Sequence, residues 1–552
     1  MQTEKIWDLF LCNMDQRSRF ICRNQTYSRK LMFLLAIAFG LVMVLQFFEL
    51  PYDTMLSSLL SAGKVSFAGK NVSSISSSAY SLQKNDSFSL SEQNVSSSSL
   101  SMAITPSRSF NLNSIPPTAS MGTYNVNPRL PQSNLSAYNP PGNSSVKGSL
   151  ETPVYPISEM NKLLQQRYAF PQSSISRWHP NVDDELVHAK AEIMNAPARP
   201  DGDLYGPIYH NVSMFKRSYE LMEEKLKVYI YKDGEKPIFH SSILEGIYAA
   251  EGWFLKLLEA NEHFVTEISS EAHLFYLPFS SRLLELTLYV PHSHSRQNLI
   301  DYMKNYVASL IGKYPFWNRT NGEDHFLAAC HDWAPAETRG EMLNCIRGLC
   351  NADIRTGFVI GKDVSLPTTY VRSSKNPRND IGGEPSSRRP ILAFFAGYMH
   401  GRVRPLLIKY WGKDPDMKIV DRLPHVKGNK NYVQLMKSSK YCICARGFAV
   451  HSPRVVESIF YECVPVIISD NYVPPFLEVL NWESFAVFIL EKDIPNMKSI
   501  LLSITEEKYL EMRRAVKEVQ KHFLWHAEPA KYDLFHMILH SVWYNRVFRT
   551  RV

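Results

Sequence analysis

From residue 226 onward, short runs of aromatic and β-branched residues alternate with longer segments whose apolar residues recur every third or fourth position. Strands separated by helices of about 10–15 residues form mainly parallel sheets, because a parallel pair needs a long crossover. The pattern predicts strands at 227–231, 273–278, 325–329 and 354–360. It predicts helices at 247–258 and 298–311, the second stopped by Gly312. Residues 371–390 are polar and rich in Gly, Pro and Ser, and read as the link between two halves. The second half opens on residues 391–395, ILAFF, a continuous apolar strand of the kind buried on both faces. Residues 506–548 read as helical and pack back across both halves. The expected fold class is α/β, with two halves facing across a cleft.

Only part of the chain can take that fold. Residues 31–48, LMFLLAIAFGLVMVLQFF, are uncharged and apolar except for Gln46. A helical span needs about 20 such residues, so this run is near the lower bound. Thirty residues precede it, too many for a cleaved signal, and no small-residue cleavage site follows. Arg17, Arg19, Arg23, Arg29 and Lys30 crowd its N-terminal side, while Glu49 and Asp53 follow it. The basic flank stays cytosolic, which makes this a single-pass type II signal-anchor with the C-terminal bulk luminal. The short span suits a thin, early secretory membrane.

Residues 51–150 hold 27 serines, nine charged residues and no tryptophan. Such a stretch cannot bury enough apolar surface to offset its chain entropy, and reads as a disordered tether. N-glycosylation sequons start at Asn71, Asn85, Asn94, Asn134 and Asn143, and in the globular part at Asn211 and Asn318. Helical character begins near 158 and forms a neck. The expected division is a tail at 1–30, the transmembrane anchor at 31–50, the stem at 51–155 and a helical neck at 156–218. An acceptor-side α/β domain at 219–385 and a donor-side domain at 386–552 complete it.

The net charge is +8, but the first thirty residues and the stem carry most of it. The near-neutral remainder has no electrostatic footprint for nucleic acid. Six cysteines from Cys330 to Cys463 are too sparse for a disulfide scaffold, yet can form one to three bridges in an oxidising compartment. No pair of these cysteines has zinc-finger spacing.

Three constellations can carry chemistry. After the strand at 391–395, residues 396–403 read AGYMHGRV and lead into a helix. Gly397 and Gly401 allow close backbone approach, and His400, Arg402 and Arg404 can donate to a pyrophosphate near a helix N-terminus. An ordinary βα turn with surface arginines fits equally. The second constellation is a strand at 440–444, a loop containing Arg446 and Gly447, and a helix opened by Ser452 and Pro453 as cap and first residue. Glu457, one turn in, can accept both hydroxyls of a ribose, or it can pair with Arg454 in solvent. The third is Asp324, His331 and Asp332 around the strand at 325–329, either a general base or a structural His–Asp pair. DxD triplets at Asp201–Asp203 and Asp414–Asp416 sit in turns, so no metal site is expected.

These segments together resemble the plant exostosin-like glycosyltransferases, family 47. The resemblance covers about 219–543 and rests on KVYIYKDGEKPIFH, YAAEGWF, EAHLFYLPFS, YPFWNRTNGEDHFLAACHDWAP, LCNADI, GKDVSLP, FFAGYMHGRVRPLLIKYW and SPRVVESIFYECVPVIISDNYVPPFLEVLNWESFAV. It implies a Golgi type II membrane glycoprotein of GT-B-like fold, two Rossmann-type domains facing a cleft. It implies an inverting hexosyl- or pentosyltransferase that takes a nucleotide-sugar donor, UDP-linked by preference, to a pectin or hemicellulose acceptor. Glu457 would then hold the donor ribose and the loop at His400–Arg404 the diphosphate, with Asp324, His331 and Asp332 near the cleft. Asp332 is the preferred base, with burial beside His331 and Trp333 expected to raise its pKa. No cofactor or essential metal is expected, and homo- or hetero-oligomers with other glycosyltransferases stay open. Many relatives carry Pro-Ser-Gly-Tyr or Phe after the strand at Cys444 and an acidic residue before the Ser-Pro. Residues 445–451 here read ARGFAVH. Arg446 can alter donor choice, add a diphosphate contact or mark lost activity, and the alternative is a catalytically inactive Golgi scaffold that keeps the fold.

Overall fold

A computed structural model describes residues 153–169, 180–198, 202–378, 380–424 and 430–550, all within one unit of the chain, 137–552. The expected tail, apolar run and stem, with Asn71, Asn85, Asn94, Asn134 and Asn143, lie outside the described residues. Among those described, no helix is long and apolar enough to cross a membrane.

Three helices come first: α1 (Ile157–Ala169), α2 (Pro180–Met194) and α3 (Val212–Lys225). They are packed into the core through Leu164, Leu186, Ile193, Phe215 and Tyr219. Asn211 is exposed and caps α3 by accepting from the Met214 amide at 3.1 Å. The exposed Asn318 lies in the one-turn helix Phe316–Thr320.

The first sheet follows: β1 (Val228–Ile230), α4 (Ala249–Glu259), β2 (Leu274–Tyr276), α5 (Ser281–Leu288), α6 (Gln297–Lys313), β3 (His325–Ala329), β4 (Ile346–Leu349) and β5 (Val364–Ser365). Its strands are all parallel and lie in sequence order, β1-β2-β3-β4-β5. Two expectations change here. Residues 354–360 hold no strand; Ile354–Thr356 is a 3-10 turn capped by Asp353, whose carboxylate accepts from the Arg355 amide. The fourth strand is β4, where Arg347 and Gly348 interrupt the apolar pattern; Arg347 is buried because Asp363 takes its guanidinium at 2.6 Å. Gly312 sits inside α6, which ends at Lys313 with Tyr314 as its cap.

The second sheet comprises β6 (Ile391–Ala396), α7 (Val403–Trp411), β7 (Met417–Val420), α8 (Lys430–Lys437), β8 (Ser439–Ala445), α9 (Arg454–Phe460), β9 (Val464–Ile468) and β10 (Val487–Phe488). It too is all parallel, in the order β10-β9-β8-β6-β7. From β6 the chain steps outward to β7, then returns to the other side of β6 as β8. Right-handed crossovers therefore send α7 and α9 to opposite faces, and a crevice opens between the loops after β6 and β8.

The link at 371–390 is polar but tied down. Val371 is buried and bridges Gly246, and Arg389 donates to the Ser439 and Tyr461 carbonyls. The C-terminal segment is two helices, α10 (Glu506–Val519), capped by Thr505, and α11 (Leu534–Arg549), capped by Asp533. Gln520 just beyond α10 donates to the Ile459 and Phe460 carbonyls of the second sheet's side, and Asn545 on α11 to the Asp363 carbonyl of the first. Disulfides join Cys330 to Cys350 and Cys442 to Cys463. Cys345 and Cys444 are buried thiols, each pushed up to about 12 by burial.

Candidate active site

The crevice of the second sheet collects most of the residues singled out for donor binding. Gly397 leaves β6 where a Cβ would lie 2.2 Å from Arg454 Nη2, so a larger residue would displace that guanidinium. A Cβ on Gly447 would meet Arg404 Nη2 at 2.7 Å. The two glycines thus let two arginines lie against the loop backbones. Arg454 Nη2 donates to the Ala396 carbonyl at 2.7 Å, and Arg404 Nη1 to the Tyr398 carbonyl at 3.0 Å. Both guanidinium carbons sit over the Phe395 ring, at 5.0 and 5.9 Å. Among the described residues neither meets a carboxylate, and neither Nε has a hydrogen-bond partner. Burial, with the Arg454 charge beside it, pulls Arg404 down to about 10. Two adjacent cations without a carboxylate partner, at the carboxyl edge of a parallel sheet, are an arrangement that can hold an anion.

The remaining donor-side residues are arranged differently from expectation. Arg402 is exposed and Arg446 is not, yet both pair with Glu491, at 2.9 and 3.1 Å. His400 is exposed beside Tyr398. Ser452 is buried but is not the cap of α9; Pro453 holds that position, and Ser452 Oγ accepts from Arg454 Nη1 at 3.3 Å. Glu457 does not pair with Arg454. Its carboxylate accepts from Arg372 at 2.7 Å and from the Tyr432 hydroxyl at 3.0 Å.

On the first sheet, the acid–base candidates part company. Asp324 precedes β3, at the end of the strand away from the cleft edge, and is fully buried. It accepts from Arg319 Nε at 2.7 Å, Thr320 Oγ1 at 2.6 Å and His325 Nδ1 at 2.7 Å. Burial raises its carboxyl, but His325 and Arg319 outweigh that and hold it well below the usual carboxylate range. Asp324 is therefore a structural ion pair, not a group at the cleft.

His331 and Asp332 do lie at the carboxyl end of β3. Glu251 fixes that end by accepting from the Cys330 amide at 2.5 Å and both Ser280 and Ser281 hydroxyls at 2.6 Å. Burial takes His331 down to about 4, so its ring is neutral, and it packs between Tyr248 and Trp333 at 5.0 and 5.2 Å. Asp332 keeps its side chain 25% exposed and accepts from His451 Nε2 at 2.9 Å. Its carboxyl moves opposite to expectation: burial raises it, but the His451 hydrogen bond and charge, with His331 and Tyr248, bring it below the ordinary value.

The residues that sequence reasoning passed over are the partners. Arg372 lay in the supposed link, and Tyr432, Glu491 and His451 carried no motif. Only His451 left a signal, as a histidine two positions before the helix-opening proline. Of the DxD triplets, Asp414 and Asp416 both hold the Lys498 ammonium, at 2.8 and 2.6 Å, and Asp201 lies outside the described residues.

Two parallel sheets flanked by helices, with paired arginines at a crevice between strand ends, define a Rossmann-like α/β protein. The chain belongs to the exostosin GT47 family of glycosyltransferases: the Exostosin GT47 domain matches residues 222–504. It is 42% identical to "Probable glycosyltransferase At5g03795" of Arabidopsis thaliana over 375 residues, 66% of this chain and 72% of that one. It is 41% identical to "Probable glycosyltransferase At3g07620" of the same plant, over 68% and 83% of the two chains. At 27% identity it is similar to "Probable beta-1,4-xylosyltransferase IRX10", also of Arabidopsis thaliana, over 58% and 82%.

Proposed function

We propose that this chain is an inverting, GT-B-type glycosyltransferase of the Golgi lumen, moving a sugar from a UDP-sugar to a cell-wall polysaccharide, pectin or hemicellulose. The carrying observation is the unbalanced pair Arg404 and Arg454, which supplies two positive charges where a diphosphate would leave. Charge developing on a leaving diphosphate is best stabilised by donors already in place, and these are held by backbone carbonyls and an aromatic ring. Glu457 accepts donor ribose hydroxyls on the lone pairs that Arg372 and Tyr432 leave open. Asp332, ionised and partly exposed, takes the acceptor proton as the hydroxyl attacks the anomeric carbon; one displacement inverts the configuration. Asp414 and Asp416 are committed to Lys498, so the leaving group is neutralised by arginine rather than through that triplet. The scaffold alternative rests on the altered loop at 445–451, and of its features the Arg446 charge is compensated by Glu491. A relative named as a xylosyltransferase supports a polysaccharide acceptor for this chain as well.

The test is UDP binding to the purified full chain, read by melting temperature. At 100 times Kd the ligand adds about 2.7 kcal/mol of stability. Arg454→Ala removes charge-assisted hydrogen bonds of about 1.5–3 kcal/mol, which weakens UDP roughly ten- to hundred-fold. No melting shift at millimolar UDP, together with no UDP release from UDP-xylose, UDP-galactose, UDP-glucuronic acid or UDP-arabinose, overturns the proposal.

A further inference from the structure

His451 ties the two sheets together at the cleft. It follows β8 and immediately precedes Ser452 and the helix that carries Arg454 and Glu457. Its imidazole nonetheless reaches the first sheet at both nitrogens. Nε2 meets Asp332 Oδ1 at 2.9 Å, after β3, and Nδ1 meets Thr368 Oγ1 at 2.8 Å, after β5. The side chain is 4% exposed. Asn351 holds the same loop from behind, donating to the Asp332 carbonyl at 2.9 Å.

The chain of Thr, His and carboxylate has the connectivity of a nucleophilic triad, but Thr368 is buried and faces no substrate. The hydrogen bonds settle what the imidazole can do. A carboxylate only accepts, so Nε2 carries the proton toward Asp332. With the ring neutral, Nδ1 accepts from the Thr368 hydroxyl; with the ring charged, Nδ1 donates to it. In both states Nε2 is a donor, and no ring nitrogen is left to receive a proton from an acceptor sugar. His451 holds Asp332 Oδ1, and the Tyr248 hydroxyl also bonds this carboxylate, which keeps its side chain 25% exposed.

We propose that His451 is a positioning residue that sets the donor loop of the second sheet against the base of the first, orienting the part-exposed carboxylate of Asp332 toward the acceptor hydroxyl. This rests on the assignment of Asp332 as base. His451 also holds Asp332 ionised in acid. Without it, burial acts on that carboxyl with only His331 and Tyr248 opposing, while Arg282, Arg296 and Glu285 are the other charges around the pair.

The experiment measures UDP release by the full chain from whichever of the four UDP-sugars above it turns over, with oligogalacturonide and xylan fragments as acceptors. His451→Ala should lower kcat about ten- to hundred-fold, part of the roughly 10²–10⁴-fold that a general base contributes. UDP Kd should change less than about threefold, because Arg404 and Arg454 keep their carbonyl partners. The acid limb of kcat/KM should move to higher pH, since the largest influence holding the Asp332 carboxyl down is gone. That limb does not depend on the fraction of folded enzyme, so a partly unfolded variant still reports. His451→Gln, whose amide nitrogen can donate to Asp332, should recover most of the turnover. Wild-type kcat and an unmoved acid limb in His451→Ala overturn the proposal. Asp332→Asn separates the two claims: more than about a tenth of turnover remaining removes the base and the proposal with it. An inactive Asp332→Asn beside an unaffected His451→Ala removes the positioning role alone.

Discussion

Glu478 offers a direct test of how burial sets the pH response of this fold. It lies in the seam between α1 and α11, where the Ser541 hydroxyl donates to it and Tyr168 stacks edge-on to Tyr544 at 5.7 Å. Burial raises its carboxyl from 4.5 to about 7. A carboxyl whose folded pKa is raised holds its proton longer in the folded chain. Nothing is lost below the unfolded value of 4.5, stability falls as pH rises from there to about 7, and the deficit is constant beyond. About 2.5 units at 1.36 kcal/mol each amount to about 3 kcal/mol. With an unfolding entropy of about 2.1 cal/mol/K per residue over roughly 400 residues, that is about 4 °C in melting temperature.

The wild-type curve alone mixes this with an opposite trend. Burial depresses His273 and His331 to about 4, and His522 and His540 to about 3. Each is a base kept neutral when folded, so stability rises with pH from those values to the ordinary 6.5. The difference between wild type and Glu478→Gln cancels the histidines. Melts of both full chains from pH 4.5 to 8 should coincide at the acid end and separate by about 4 °C above pH 7, the variant being the more stable. A separation that does not change with pH refutes the assignment of a buried, proton-holding Glu478.

Two further outcomes are expected. Glu457→Ala strands Arg372 and Tyr432 together, at about 1.5–3 kcal/mol for the hydrogen bond to the charged guanidinium, so it should lower both melting temperature and UDP affinity. Unchanged UDP Kd by calorimetry would remove Glu457 from the donor site. For topology, protease added to sealed microsomes should trim only the N-terminal tail; digestion of the large α/β unit would contradict a luminal domain.

The alternation of apolar strands with amphipathic helices is a local property, which is why the sequence alone locates β3 at its observed bounds and β1, β2, β6 and β8 to within one or two residues, while the short strands β5, β7 and β10 carry too little pattern to be read. It fails at β4 because Arg347 and Gly348 carry no strand pattern, and Arg347 is buried through Asp363, sixteen positions away, with the Thr338 and Gly357 carbonyls. The loops after β6 and β8 were legible as glycine- and arginine-bearing turns between strand and helix. Their meeting at one crevice was not, since it follows from β8 returning to the far side of β6. Asp324 and Asp332 are both acidic and both beside a histidine, and in sequence only the neighbouring Trp333 favours Asp332 as the base. The direction of β3 in the sheet decides between them, leaving one in a buried ion pair and the other at the cleft. The partners that set the chemistry are tertiary altogether: His451 meets Asp332 across 119 positions, and Arg372 meets Glu457 across 85. Periodicity records which face of an element is buried, whereas the pairing of charges depends on which faces the folded chain brings together.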